Sequence, residues 1–147
     1  MFSKLFRHTD ERDINQLIYD YAEYGRRRDY ARIIKKLPSL TLYSSVRSTN
    51  LPIYHGMQHV TKPGDQIAIQ AANVPCCGKM VLFFADRRNP RLGSPYIGTP
   101  FPEACKMSML SPDSVGVMIY NDKESYIGLP HFHLLEILRQ LAPIQTA

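Results

Sequence analysis

At Pro38 the hydrophobic periodicity of this chain changes from helical to extended, and that change dictates the class of fold. Before it, Ile14, Leu17, Ile18 and Tyr21 fall at i, i+3, i+4 and i+7, one face of an amphipathic helix. The spacing predicts a helix over residues 10–24, capped by Thr9 or Asp10 and stopped by Gly25. Tyr30, Ile33, Ile34 and Leu37 repeat the pattern, so a second helix is expected over residues 27–37, ended by Pro38. Two short helices with a tight link make a helical hairpin.

After Pro38 the pattern becomes that of strands. Residues 40–46 (LTLYSSV) read as one strand, and residues 66–72 (QIAIQAA) alternate as a second. Between them, Pro52, Gly56, Pro63 and Gly64 mark a long irregular loop with a short extended piece near Ile53 and Tyr54. Residues 79–85 (KMVLFFA) are almost continuously apolar, as expected of a central strand buried on both faces. Residues 86–98 (DRRNPRLGSPYIG) read as a polar, turn-rich loop. Thr99-Pro100 reads as an N-cap followed by proline at the first helical position, with the helix running to Leu110. Residues 114–120 (SVGVMIY) and 125–129 (SYIGL) form a hairpin around Asn121-Asp122. Pro130 opens a last helix with Phe132, Leu135, Leu138 and Leu141 at threefold spacing, ended by Pro143. The order α-α-β-β-β-α-β-β-α predicts an α+β fold: an N-terminal helical hairpin, then a mixed or mainly antiparallel sheet covered by helices.

The 147 residues suit one domain, with the hairpin over residues 10–37 and the sheet with two further helices over residues 40–141. Cys76, Cys77 and Cys105 are an odd set with two adjacent members, a poor disulfide framework, so a reducing cytoplasm is the expected compartment. The start, MFSKLFRHTDERD, has basic residues but no apolar run behind them, unlike a secretory signal. Residues 80–85 are far shorter than the ~20 apolar residues a membrane span needs, so no membrane partner is expected.

The C-terminal half resembles the SseB-type domain, named for enhanced serine sensitivity. The resemblance rests on LPSLTLYSSV (residues 37–46), KMVLFFADRRNPRLG (79–93), FPEACKMSML (101–110) and VGVMIYNDKESYIGLPHFHLLEIL (115–138). These stand where that family has a helical stretch leading into a strand, a central strand with its loop and helix, and a strand–turn–strand with a terminal helix. The chain departs from the pattern where Asp122 rather than proline follows Asn121, and where the central strand ends Phe84-Ala85 instead of Phe-Thr. The resemblance covers residues 13–141 and implies a small cytoplasmic bacterial binding or regulatory domain, with no catalytic residues to carry over.

Net charge is +5, and seven basic residues against one acidic residue, Asp29, lie between Arg26 and Arg47. Arg28, Arg32 and Lys36 stand at i, i+4 and i+8 and share a helical face. That face suits an anion or an acidic protein surface; no nucleic-acid motif accompanies it, so a nucleic-acid partner is not expected. Tyrosine and arginine are the residues favoured at interface hot spots, and Tyr19, Tyr21, Tyr24 and Tyr30 gather in the hairpin. The candidate partner-binding residues are therefore Tyr24, Arg26, Arg27, Arg28, Arg32 and Lys36, joined by Arg87, Arg88, Arg91 and Tyr96 of the long basic loop.

Metal and nucleophile readings fare worse. His55 and His59 lie in a Gly- and Pro-rich stretch with no HExxH pattern, and His131 and His133 point to different faces of their helix. Cys76-Cys77-Gly78-Lys79 has no C-x-x-C spacing and no nominated base, and reads as inert thiols. No phosphate-loop, G-x-G-x-x-G or G-x-S-x-G pattern is present, so neither cofactor nor catalytic residue is expected. The leading expectation is a non-catalytic protein-binding module, most concretely an immunity or antitoxin-type protein that occludes the active site of a toxin. A net charge of +5 points to a toxin surface that is acidic or neutral. The alternatives are a regulatory domain binding a small anionic metabolite or nucleotide at the basic helix, and an enzyme whose site only folding assembles.

Overall fold

The computed structural model describes residues 12–48, 67–75, 78–93, 96–111 and 113–141. Among the described residues it is an α+β fold in which four helices pack on one face of a seven-stranded mixed sheet. Helix α1 (Ile14–Tyr24) and helix α2 (Arg27–Lys36) form the expected hairpin. Asp13 caps α1 by accepting from the Gln16 N–H at 2.9 Å, four and three residues beyond the expected caps Thr9 and Asp10, which lie outside the described residues. Gly25 ends α1 in the left-handed conformation, φ 63°, where any Cβ would be strained. A 3-10 turn (Leu37–Ser39) absorbs Pro38, so α2 stops at Lys36 rather than Leu37.

The strands are β1 (Thr41–Ser48), β2 (Ile67–Ile69), β3 (Ala71–Val74), β4 (Gly78–Phe84), β5 (Tyr96–Pro100), β6 (Ser114–Tyr120) and β7 (Tyr126–Pro130). Helix α3 (Phe101–Leu110) follows β5, and helix α4 (His131–Leu141) follows β7. The sheet order is β2-β1-β4-β6-β7, with β3 also on β4 and β5 on the other side of β1. Strands β4 and β6 are parallel; every other pairing among the described residues is antiparallel.

Alternation along the central strands splits the core into two layers. Val81, Phe83, Val117 and Ile119 face the helices, against Leu17, Ile18, Ile33, Phe101, Leu134 and Ile137. Met80, Leu82, Phe84 and Met118 face the other way, under Tyr43, Leu92 and Tyr120. The strand expected over residues 79–85 is thus buried on both sides from Met80 to Phe84, with bounds one residue earlier, at Gly78–Phe84.

Several expectations are corrected, among them Pro130, which ends β7 rather than opening the last helix. The strand expected over residues 66–72 is two strands broken at Gln70, whose carbonyl instead accepts from the Leu82 N–H at 2.9 Å. The loop expected over residues 86–98 ends in a strand: Tyr96–Pro100 pairs with β1, and Thr99 is a buried strand residue opposite Leu42 rather than an N-cap. The helix therefore starts at Phe101, with Pro100 as its cap residue. Along α4 the threefold spacing is not one face, because each three-residue step falls 60° short of a turn. Leu134 and Ile137 carry the core contact, while Phe132 and Leu135 are exposed.

Candidate functional site

The candidate residues fall into two groups, at the turn between α1 and α2 and at the carboxyl end of β4. At the first, Gly25 turns the chain and Arg26 adopts an extended conformation as the cap residue of α2. Arg26 has no capping side chain, and its Nε donates instead to Asp29 Oδ2 at 2.8 Å. Asp29 is fully buried and also accepts from Arg12 at 2.9 Å. A second nitrogen of Arg12 donates to Asp20 at 2.7 Å, and Gln16 joins Asp20 at 2.9 Å. Burial alone would raise the Asp29 carboxyl, but the hydrogen bonds from Arg12 and Arg26 outweigh it and hold the group below the usual range. At Asp20 the Arg12 hydrogen bond is the largest influence and lowers the carboxyl against the effect of burial.

This network spends part of the positive charge internally. The Arg26 guanidinium is bound to Asp29 and lies 4.8 Å from the centre of the Tyr24 ring. Lys36 donates to the Arg12 carbonyl at 2.9 Å. Arg32 is half-buried, so Arg28, Arg32 and Lys36 are not a uniform exposed stripe. What the hairpin presents outward is Tyr24, 63% exposed, with the exposed Arg27 and Arg28.

The second group surrounds a cleft of about 490 Å³. Its cause is a splaying of two strands. Strands β1 and β4 share one registered pair, Tyr43 with Phe84. Beyond it, the Ala85 N–H turns to the Tyr120 carbonyl of β6 at 2.9 Å, and the Leu40 carbonyl accepts from Phe101 at 3.0 Å. One wall carries Ser39, Thr41 and Tyr43; the other carries Asp86, Arg87 and Arg88. Arg88 grips Asp86 with Nε at 3.1 Å and a terminal nitrogen at 2.8 Å, and its backbone N–H adds a bond at 2.9 Å. The Arg88 hydrogen bond, outweighing burial, holds the Asp86 carboxyl down to about 2, so it stays ionised and the fork stays fixed.

Arg91 and Tyr96 lie beside this cleft rather than in it. The Arg91 guanidinium sits 5.1 Å from the centre of the Tyr120 ring, and Tyr96 packs edge-on against Tyr43 at 6.1 Å.

Sequence reasoning missed the buried amides behind the cleft. Asn89 donates to the Asn121 carbonyl at 2.8 Å, and Asn121 donates to the Asn15 carbonyl at 2.9 Å. The Asn121 side-chain oxygen accepts from Lys123 and Ser125, which builds the β6–β7 turn. The signal available was a polar Asn15 beside the apolar stripe of α1. Strand β5 also had a signal: YIGTP at residues 96–100 recurs as YIGLP at 126–130, and both become strands leading directly into helices.

The histidines of α4 diverge as expected. His131 Nε2 is 3.1 Å from the Ser108 hydroxyl of α3, whereas His133 Nδ1 is 2.9 Å from the Tyr30 hydroxyl of α2. Among the described residues no group of three metal-ligating side chains forms; His55, His59, Cys76 and Cys77 lie outside them. Cys105 is buried, and burial pushes its thiol up to about 12. Among the described residues no helix is long and apolar enough to cross a membrane. Compared with protein-family models, with curated proteins and with solved structures, the chain matches none.

Proposed function

We propose that this chain is a non-catalytic protein-binding module whose contact surface is the tip of the helical hairpin: Tyr24, Arg26, Arg27 and Arg28. The observation that carries the reading is Tyr24 exposed beneath a guanidinium that Asp29 holds in place. A large aromatic ring positioned beside fixed and free arginines loses little conformational entropy on binding, which is the physics of an interface anchor. Arg27 and Arg28 suit an acidic partner surface and speed the encounter. The most concrete form is an immunity-type protein that covers the active site of a toxin.

The two nucleophile arrangements on the described residues support the non-catalytic part. Cys105 is held as a buried thiol, not the thiolate that attacks. Ser108 meets His131, but it is fully buried and its hydroxyl also bonds the Gly116 carbonyl at 2.9 Å.

The test is an affinity pull-down from native extract with the whole chain and with a Tyr24→Ala, Arg27→Glu, Arg28→Glu variant. One stoichiometric protein that survives high salt and is lost by the variant is the expected result. Its retention by the variant, or an empty pull-down from expressing cells, overturns the reading. A toxin as the captured protein establishes the immunity form.

A further inference from the structure

The cleft at the carboxyl end of β4 lies away from the hairpin tip and has its own chemistry. We propose that it binds a small phosphomonoester on a hydroxylated carbon frame, of the sugar-phosphate class, with the phosphate on Arg87 and Arg88 and the frame against Ser39, Thr41 and Tyr43.

Its volume of about 490 Å³ falls within the range of small-molecule sites. It opens where the carboxyl end of β4 is drawn to β6 while β1 turns toward β5. The two walls are chemically different. On one, the Asp86 carboxylate fixes the plane of the Arg88 guanidinium through Nε and one terminal nitrogen. The other terminal nitrogen faces away from that fork, and the Arg88 side chain is 84% exposed. An arginine locked by a carboxylate is pre-organised for a second, incoming anion, and bidentate geometry favours phosphate. Arg87 is exposed beside it, and with Arg88 paired to Asp86 it leaves the three side chains with one net positive charge for a phosphate. Asp86 adds no free negative charge, because Arg88 takes it up. On the opposite wall, the Thr41 and Tyr43 hydroxyls can donate and accept, and Ser39, whose hydroxyl donates to the Lys36 carbonyl at 3.0 Å, keeps its acceptor lone pairs, which suits a polyol more than an apolar body. Tyr43 is itself steadied by Tyr96.

The test is a titration of the isotope-labelled full chain, followed by amide chemical shifts, with three probes: glucose 6-phosphate, inorganic phosphate and glucose. The expected result is saturable shifts at Thr41, Tyr43, Ala85, Arg87 and Arg88 with glucose 6-phosphate. Binding should be at least about tenfold tighter than for either fragment and about tenfold weaker in Arg87→Ala. Arg87 is exposed, so its truncation is expected to leave the fold intact; Tyr43→Phe is a second variant, expected to weaken binding without losing it. The proposal is overturned by an absence of shifts at these residues at about 10 mM probe. It is also overturned by shifts at Arg27 and Arg28 instead, by equal affinity for inorganic phosphate, or by affinity that Arg87→Ala leaves unchanged.

Discussion

The side-chain amide of Asn121 donates to the backbone carbonyl of Asn15 at 2.9 Å, across 106 residues of chain. One fully buried side chain thus ties the β6–β7 turn to the first turn of α1, while accepting from Lys123 and Ser125. Asn121→Ala leaves three backbone groups without this partner. The Asn15 carbonyl is buried, whereas the Lys123 and Ser125 N–H groups lie nearer water, so the variant should lose about 1–3 kcal/mol by urea unfolding. A loss below about 0.5 kcal/mol would show that water replaces the amide.

Gly116 of β6 stands opposite Pro130 and Gly128 of β7 opposite Met118, and the two glycines should respond in opposite ways. A Cβ on Gly116 would meet the Leu129 carbonyl oxygen at 2.3 Å and Pro130 Cα at 2.9 Å, both backbone atoms of the paired strand. On Gly128 it would meet the flexible end of Met80, its sulfur at 3.4 Å and its methyl carbon at 3.5 Å. Gly116→Ala should cost about 3 kcal/mol or more, because the strands must separate, and Gly128→Ala should stay within about 0.5 kcal/mol. Thermal melts of the two variants decide this.

Leu134 and Leu135 test the register of α4. Leu134 is fully buried and Leu135 is 51% exposed. Leu134→Ala should lose about 2–5 kcal/mol, and Leu135→Ala no more than about 0.5 kcal/mol. The reverse order would restore the threefold face read from spacing.

The Asp86–Arg88 fork sets part of the acid limb of stability. Its carboxyl moves from the usual 3.8 in the unfolded chain to about 2 in the fold. The folded state therefore binds fewer protons in that window, so stability rises with pH. The contribution is complete above about pH 4 and lost as pH falls through about 2. Asp86→Asn should flatten the stability profile between these values, and an unchanged profile would assign the acid limb to other carboxylates such as Asp29 and Asp20, which are lowered too.

Asp29 and Tyr24 separate scaffold from surface at the hairpin tip. Asp29→Ala leaves Arg12 and Arg26 without their shared buried partner. The cost should be about 2 kcal/mol, less than for an enclosed pair because both guanidiniums reach water. Tyr24→Ala should change stability by no more than about 0.5 kcal/mol and affect only partner capture. Denaturant midpoints for the two variants check the contrast.

How much of this was readable beforehand follows from the range of each interaction. The hairpin, the stop at Gly25, the doubly buried β4, the strand at residues 114–120 and the turn after it rest on neighbours a few residues apart. Periodicity and turn chemistry report such contacts directly. So do the exposed Tyr24 and the arginines around it. Strand β5 escaped because a Pro- and Gly-rich stretch becomes extended only where a distant strand, β1, offers its edge. The outer and inner faces of α4 escaped because threefold spacing does not distinguish a buried ridge from one drifting around the helix.

The cleft and its supporting amides were out of reach for the same reason. Asp86 precedes Arg88 by two residues, and their fork is local. Yet the wall facing it comes from residues more than forty positions earlier, and Asn15, Asn89 and Asn121 meet from three separate segments. Local free energy chooses helices, strands and turns from adjacent side chains. Which strand edges pair, where they splay apart, and which polar groups must then be satisfied together are settled only when the whole chain packs.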